Sequence, residues 1–285
     1  MSMLTGELPS VLRVEEAAEG RYRVNHPAED PEARNVVFSG QILAQMIMVS
    51  DHAVKAAKEI KSIHAIFARA GSYSEPMELL RESMHAGRAW GSDTLTAWQG
   101  DRLLSRGLVL LSADEPDLMR HAARMPDVPG PEALEPDPEQ FVYPDTETRT
   151  LGDPDATTPD GSPALHFWLR HANSFDLVAA NQAILAWCEP GLQIGLAMRP
   201  HPDKVNIGDA HRTVSTGVIA HTAHFHERFD VGEWLLVTQQ SSYAGRGRVH
   251  GSGSVFSEDG RLVASFSQDS MARGVAQALD PKRSM

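Results

Sequence analysis

Three short stretches combine residue types that could do chemistry. In "NVVFSGQILAQM", residues 35–46, a Ser-Gly-Gln turn opens an apolar helix carrying Ile42, Leu43, Met46, Ile47 and Val49. A glycine-led helix start can cradle a phosphate, polarise a carbonyl, or let two backbones pack closely. In "HTAHFH", residues 221–226, strand alternation puts His224 and His226 on one face and His221 on the other. No Cys is near and no HExxH spacing occurs, so no metal is expected. In "GRGRVHGSG", residues 245–253, the glycines are dense enough for a phosphate loop. The stretch lacks the Lys-Ser/Thr ending of a P-loop and lies between strands, which argues against nucleotide hydrolysis.

The elements that position such residues belong to a chain of 285 residues, 41% hydrophobic, long enough for one large domain or two ordinary ones. The single Cys188 excludes an intrachain disulfide and fits a reducing compartment. "MSMLTGELPS" has neither the basic start nor the apolar core of a signal peptide, and no run of 18 apolar residues appears. A cytoplasmic protein with no membrane partner is expected. The net charge of -12 argues against nucleic acid, because a polyanion needs a basic footprint. A small polyanionic ligand stays open if a few arginines cluster.

Residues 126–163 are crowded with Pro, Asp, Glu and Gly, a composition that marks a surface connection. It is interrupted by the alternating "TETRTL", so the expected organisation is a first domain over 1–122, a linker over 123–144 and a second domain over 145–285. The two sides echo one another. A helix from Gly40 to about Lys58 matches one within "SFDLVAANQAILAW", and each is followed by alternating strands with hairpin joints at "QGD" and "SEDG". His64 stands 157 residues before His221, Ala86-Gly87-Arg88 stands 158 before Ala244-Gly245-Arg246, and Arg102-Leu103 stands 159 before Arg261-Leu262. This is a tandem duplication. Each helix is apolar nearly all round and needs a curved sheet about it, and edge strands of two such units can join.

With "VVFSGQILAQ", "IHAIFARAG", "HTAHFHERFDVGEWLL" and "GRLVASFSQDSMAR", this arrangement resembles the acyl-CoA thioesterase II family of double-hotdog proteins. The resemblance implies an α+β tandem hotdog: two antiparallel sheets, each wrapped around a long apolar helix and joined into one extended sheet. It also implies hydrolysis of fatty acyl-CoA to free fatty acid and CoA by water attack. No metal, covalent intermediate or cofactor is implied beyond the coenzyme A of the substrate.

The family's site is a polar trio of Asp, Ser or Thr, and Gln from the second domain. The Gln falls on Gln268. Pro190 stands where the Asp is expected, with Glu189 beside it, and Val218 stands at the hydroxyl position, with Thr216 and Thr222 nearby. A general base must reach the attacking water. Pro190 has no group for this, so Glu189 is the candidate if the helix end is reset, with Thr216 as the candidate hydroxyl. Asp209 and His211 are further candidates for the base. Ser267 and Asp269 alternate to the face opposite Gln268.

The first free N–H groups at Gly40 and Gln41 could hold the thioester carbonyl. Gly40 could equally serve tight helix-on-sheet packing, and Gln41 could cap the helix. His64 and His221 are substrate-side candidates because they recur across the duplication. Arg69, Arg88, Arg246 and Arg248 are candidates for the CoA phosphates. The alternative to an enzyme is a hotdog protein that binds acyl-CoA or another lipid thioester without hydrolysing it, since two of the three family positions are unmatched. Enoyl-CoA hydration, suggested by "GDAHR", finds no recognisable hydratase motif. A homodimer or larger symmetric assembly is expected.

Overall fold

A computed structural model describes residues 8–25, 35–54, 58–137, 145–152, 156–205 and 213–275. The first half contributes β1 (Val14–Ala18), β2 (Arg21–Val24), α1 (Ser39–Val54), β3 (Glu59–Phe67), β4 (Met77–Ala86), β5 (Trp90–Gln99) and β6 (Arg102–Ser112). The second contributes β7 (Thr146–Thr150), β8 (Ala164–His171), α2 (Val178–Cys188), α3 (Gln193–Met198), β9 (Val214–Phe225), β10 (Leu235–Gly245), β11 (Arg248–Ser257) and β12 (Leu262–Gly274). Both hairpin joints form, with Gly100 and Gly260 in the left-handed region that only glycine adopts freely.

The described strands form one antiparallel sheet in the order β1-β2-β4-β5-β6-β3-β9-β12-β11-β10-β8-β7. The halves join at β3 and β9, where His64 pairs with Thr222 and Ala65 with His221. This is the tandem hotdog. The helices are not wrapped singly, however. α1 and α2 pack on each other, and one core runs through both halves, from Leu43, Met46 and Ile47 to Ala183, Leu185 and Phe266. Each helix thus covers part of the other's apolar girth, and the common sheet covers the rest.

Alternation along the junction corrects one sequence inference. Ala65, His221 and Ala223 face inward and are fully buried, whereas His64 is exposed and bonds Thr222 Oγ1 across the outer face at 2.6 Å. A slip of one residue along a strand turns a side chain to the other face. His64 and His221 are therefore not counterparts, although their surroundings align in sequence.

The proline-rich stretch does more than connect. Trp168, Trp234, Leu236 and Phe256 form a second apolar cluster under Met125, Val128 and Leu134, and Trp168 Nε1 donates to the Pro129 carbonyl at 2.9 Å. Arg149 and Arg170 stack over Trp234 at 4.9 and 4.4 Å.

Candidate active site

α2 ends at Cys188, and the chain turns through a 3-10 helix over Glu189–Gly191 before α3 starts at Gln193. Pro190 accounts for the break, because it has no N–H to continue the ladder. The reset puts the Glu189 side chain against β9 and β12, only 1% exposed. His221 lies inward on β9 and Gln268 directly opposite it on β12, both buried. The His221 ring stacks on Phe266, with centroids 5.9 Å apart.

The hydrogen bonds of this cluster fix its protons. Gln268 Nε2 donates to the Pro190 carbonyl at 3.2 Å and to Ser270 Oγ at 2.9 Å. A backbone carbonyl can only accept, so the Gln268 amide nitrogen faces Pro190 and its oxygen faces His221. His221 Nδ1 then donates to Gln268 Oε1 at 3.1 Å. One proton remains between His221 Nε2 and Glu189 Oε2, 3.0 Å apart. Glu189 Oε1 is buried and has no partner among the described residues.

Burial raises the Glu189 carboxyl above its ordinary range, opposed by the hydrogen bond and charge of His221. A carboxylate with a raised pKa and a free lone pair can accept a proton near neutral pH. Cys188, one residue earlier, is unsuited to nucleophilic work: burial, with a smaller effect from the Glu189 charge, pushes its thiol well up.

The structure thus brings together Glu189, His221 and Gln268, with Ser270 beside them. It does not bring Thr216. On β9 the register skips one residue at Ile219, so Val218 sits across from Ser270 and Thr216 across from Ala272, one step beyond the cluster. The hydroxyl comes from the neighbouring strand. Ser270 could have been found from the sequence, since it shares a strand face with Gln268 two residues earlier. Gln193 was also missed. It is fully buried, and a Cβ on Gly251, the residue paired with Gln268, would overlap its Oε1.

Gly40 belongs to the contact between helices. α1 begins at Ser39, and a Cβ on Gly40 would overlap the Trp187 carbonyl oxygen of α2 rather than meet the sheet. Gln41 is buried in its own half, accepting from Tyr73 Oη at 3.3 Å. Arg69 donates to the Leu103 carbonyl at 3.1 Å. Arg88 is exposed in the β4–β5 turn, and Arg246 is exposed in the β10–β11 turn with a φ of 53°. Asp209 and His211 lie outside the described residues.

Residues 120–272 match the family model for the acyl-CoA thioesterase C-terminal domain. The chain is 24% identical to mouse acyl-coenzyme A thioesterase 8 (Mus musculus), covering 96% of this chain and 91% of the relative. It is 25% identical to acyl-CoA thioesterase 2 of Haemophilus influenzae, over 83% and 87% of the two chains. Among solved structures, an acyl-CoA thioesterase II from Mycobacterium marinum superposes with a TM-score of 0.79 at 23% identity, over 93% of this chain and 96% of that one. A hot dog fold protein from Alicyclobacillus acidocaldarius gives 0.75 at 17% identity, over 95% and 99%. These superpositions establish the fold. Among the described residues no helix is long and apolar enough to cross a membrane.

Proposed function

We propose, from the premise that the chain belongs to the acyl-CoA thioesterase family, that it hydrolyses fatty acyl-CoA to free fatty acid and CoA, with Glu189 as the general base. The observation that carries this assignment is the buried carboxylate itself, held by His221 and left with one oxygen that has no partner among the described residues. Glu189 Oε1 takes a proton from water while the water oxygen bonds to the thioester carbonyl carbon. His221 shares the charge change through Oε2. The tetrahedral adduct then collapses, the C–S bond breaks, and the departing thiolate takes the proton back from Glu189. Gln268 and Ser270 keep His221 in the required tautomer. This reaction needs no metal and no covalent intermediate.

The acyl chain would lie beside α1 and α2. Each buried methylene would add about 0.8 kcal/mol, so chain-length preference reports the depth of the apolar space. A reducing, cytosolic setting fits a chain with a single thiol, Cys188. A homodimer is supported by Ile66, Leu108 and Leu110, large apolar side chains exposed on the outer sheet face near the junction of the halves. A strict monomer in light scattering would overturn the dimer.

The test of the activity is free-CoA release from short to long acyl-CoAs, separated by chromatography, by the wild type and Glu189→Gln. Turnover by the wild type and its loss in the variant is the expected result. Acyl-CoA binding without turnover at any chain length would make the protein a carrier.

A further inference from the structure

We infer that the cavity at the ends of β11 and β12 binds the phosphate groups of coenzyme A; this rests on the acyl-CoA reading above. The cavity has a volume of about 330 Å³ and lies between α3 and the β10–β11 turn. Its wall includes Lys204, Arg248, Arg273 and His201, and no acidic side chain lines it among the described residues. In a chain with a net charge of -12, three strong cations with no carboxylate among the described lining residues are an unusual lining. Among the described residues, no salt bridge joins Lys204, Arg248 or Arg273 to an acid.

Arg273 is packed into the wall of the cavity. Its Nε is buried and has no hydrogen-bond partner among the described residues. The Arg273 stem passes over Gly247, where a Cβ would come within 2.9 Å of its Cγ. Glycine there, at a φ of 74°, both makes the turn and admits the arginine.

Position ties the cavity to the cluster. Val249 pairs with Ser270 and also lines the cavity, as do Ala272 and Gly274 further along β12. The four steps from Ser270 to Gly274 span roughly 13 Å of extended strand, which suits the arm that separates a thioester from its phosphates. The cavity is at the small end of ligand sites, which run from about 300 Å³ upward. It can take the anionic end of the substrate but not the whole. Arginine and lysine are the residues suited to such groups.

The experiment compares acyl-CoA with the corresponding acyl-pantetheine, which carries no phosphate, as substrates of the wild type, Lys204→Gln, Arg273→Gln, Arg273→Lys and the triple variant with Arg248→Gln. Calorimetric titrations with free CoA and with pantetheine run in parallel. The ratio of kcat/KM for acyl-CoA to that for acyl-pantetheine should fall about tenfold for each charge removed, the scale of one charge-assisted hydrogen bond. Arg273→Lys should recover part of the loss, and the Kd for CoA should rise in the triple variant without a matching change for pantetheine. An unchanged ratio and Kd, or equal weakening of both ligands, would overturn the assignment. If the wild type hydrolyses neither thioester, the activity reading fails but calorimetry still decides the cavity: CoA binding that weakens in the triple variant supports it, and no CoA binding by the wild type overturns it.

Discussion

The Pro190 carbonyl accepts a hydrogen bond from Gln268 Nε2 at 3.2 Å, and this contact decides where the proton of His221 sits. Because the carbonyl cannot donate, Gln268 must offer its oxygen to His221 Nδ1, leaving Nε2 for Glu189. A proline that can supply neither acid nor base therefore organises both through its backbone. Gln268→Glu should disturb this arrangement, since a carboxylate would meet the Pro190 carbonyl without a donor. A fall in kcat of at least tenfold is expected from a mis-set base, and wild-type turnover by this variant would remove the orienting role.

Glu189→Gln keeps the shape of the cluster and removes the proton acceptor. The loss expected in kcat is about 10²–10⁴-fold, the usual contribution of a general base, with KM changing far less. Steady-state kinetics on one well-turned-over acyl-CoA measures it, and a variant within a factor of three of wild type would move the base elsewhere.

Ser270 and Thr216 separate two positions that the sequence left confused. Ser270→Ala removes a hydroxyl 2.9 Å from Gln268 Nε2 and should cost roughly tenfold in kcat, the scale of one buried hydrogen bond. Thr216, paired with Ala272 beyond the cluster, should tolerate replacement by Val with a change below about twofold in kcat, as expected of a side chain outside the hydrogen-bonded network. The reverse ranking would place the working hydroxyl on β9.

The pH dependence follows from the burial of Glu189. Its folded pKa lies above the ordinary carboxyl range, so the acid limb of kcat/KM should fall above that range, with activity rising as Glu189 loses its proton. For stability the sign is opposite to that of a salt-bridged carboxylate. The folded state holds this proton more tightly than the unfolded chain. The contribution is fully present below the unfolded pKa and is lost as pH climbs through the folded pKa. Melting temperatures of wild type and Glu189→Gln across a pH series should diverge in that window, the wild type losing more stability. Parallel curves would mean that His221 cancels the effect of burial.

Gly40 tests the contact between the helices. A Cβ there would overlap backbone, the Trp187 carbonyl oxygen, as well as the Phe38 ring, so Gly40→Ala should destabilise the fold by about 1–3 kcal/mol despite alanine's better helix propensity. Urea unfolding measures this. Because Trp187 is two residues from Glu189, kcat should fall as well, and a variant as stable and active as wild type would show that α1 and α2 have room to spare.

The sequence by itself determined the order of elements, the duplication and the chemistry of the hairpin turns. Each of these depends on neighbours in the chain: the apolar run after Gly40, the glycines at 100 and 260, the repeated helix and strands. It also brought out Gln268 and Glu189. Only the tertiary structure decided which residues meet, because a slip of one residue turns a strand side chain to the other face. The skip at Ile219, the inward setting of His221 against the outward setting of His64, and the choice of Ser270 over Thr216 all follow from hydrogen bonds between strands far apart in sequence. The break at Pro190 is local, but its consequence appears only where β12 passes beside its carbonyl, 78 residues further on.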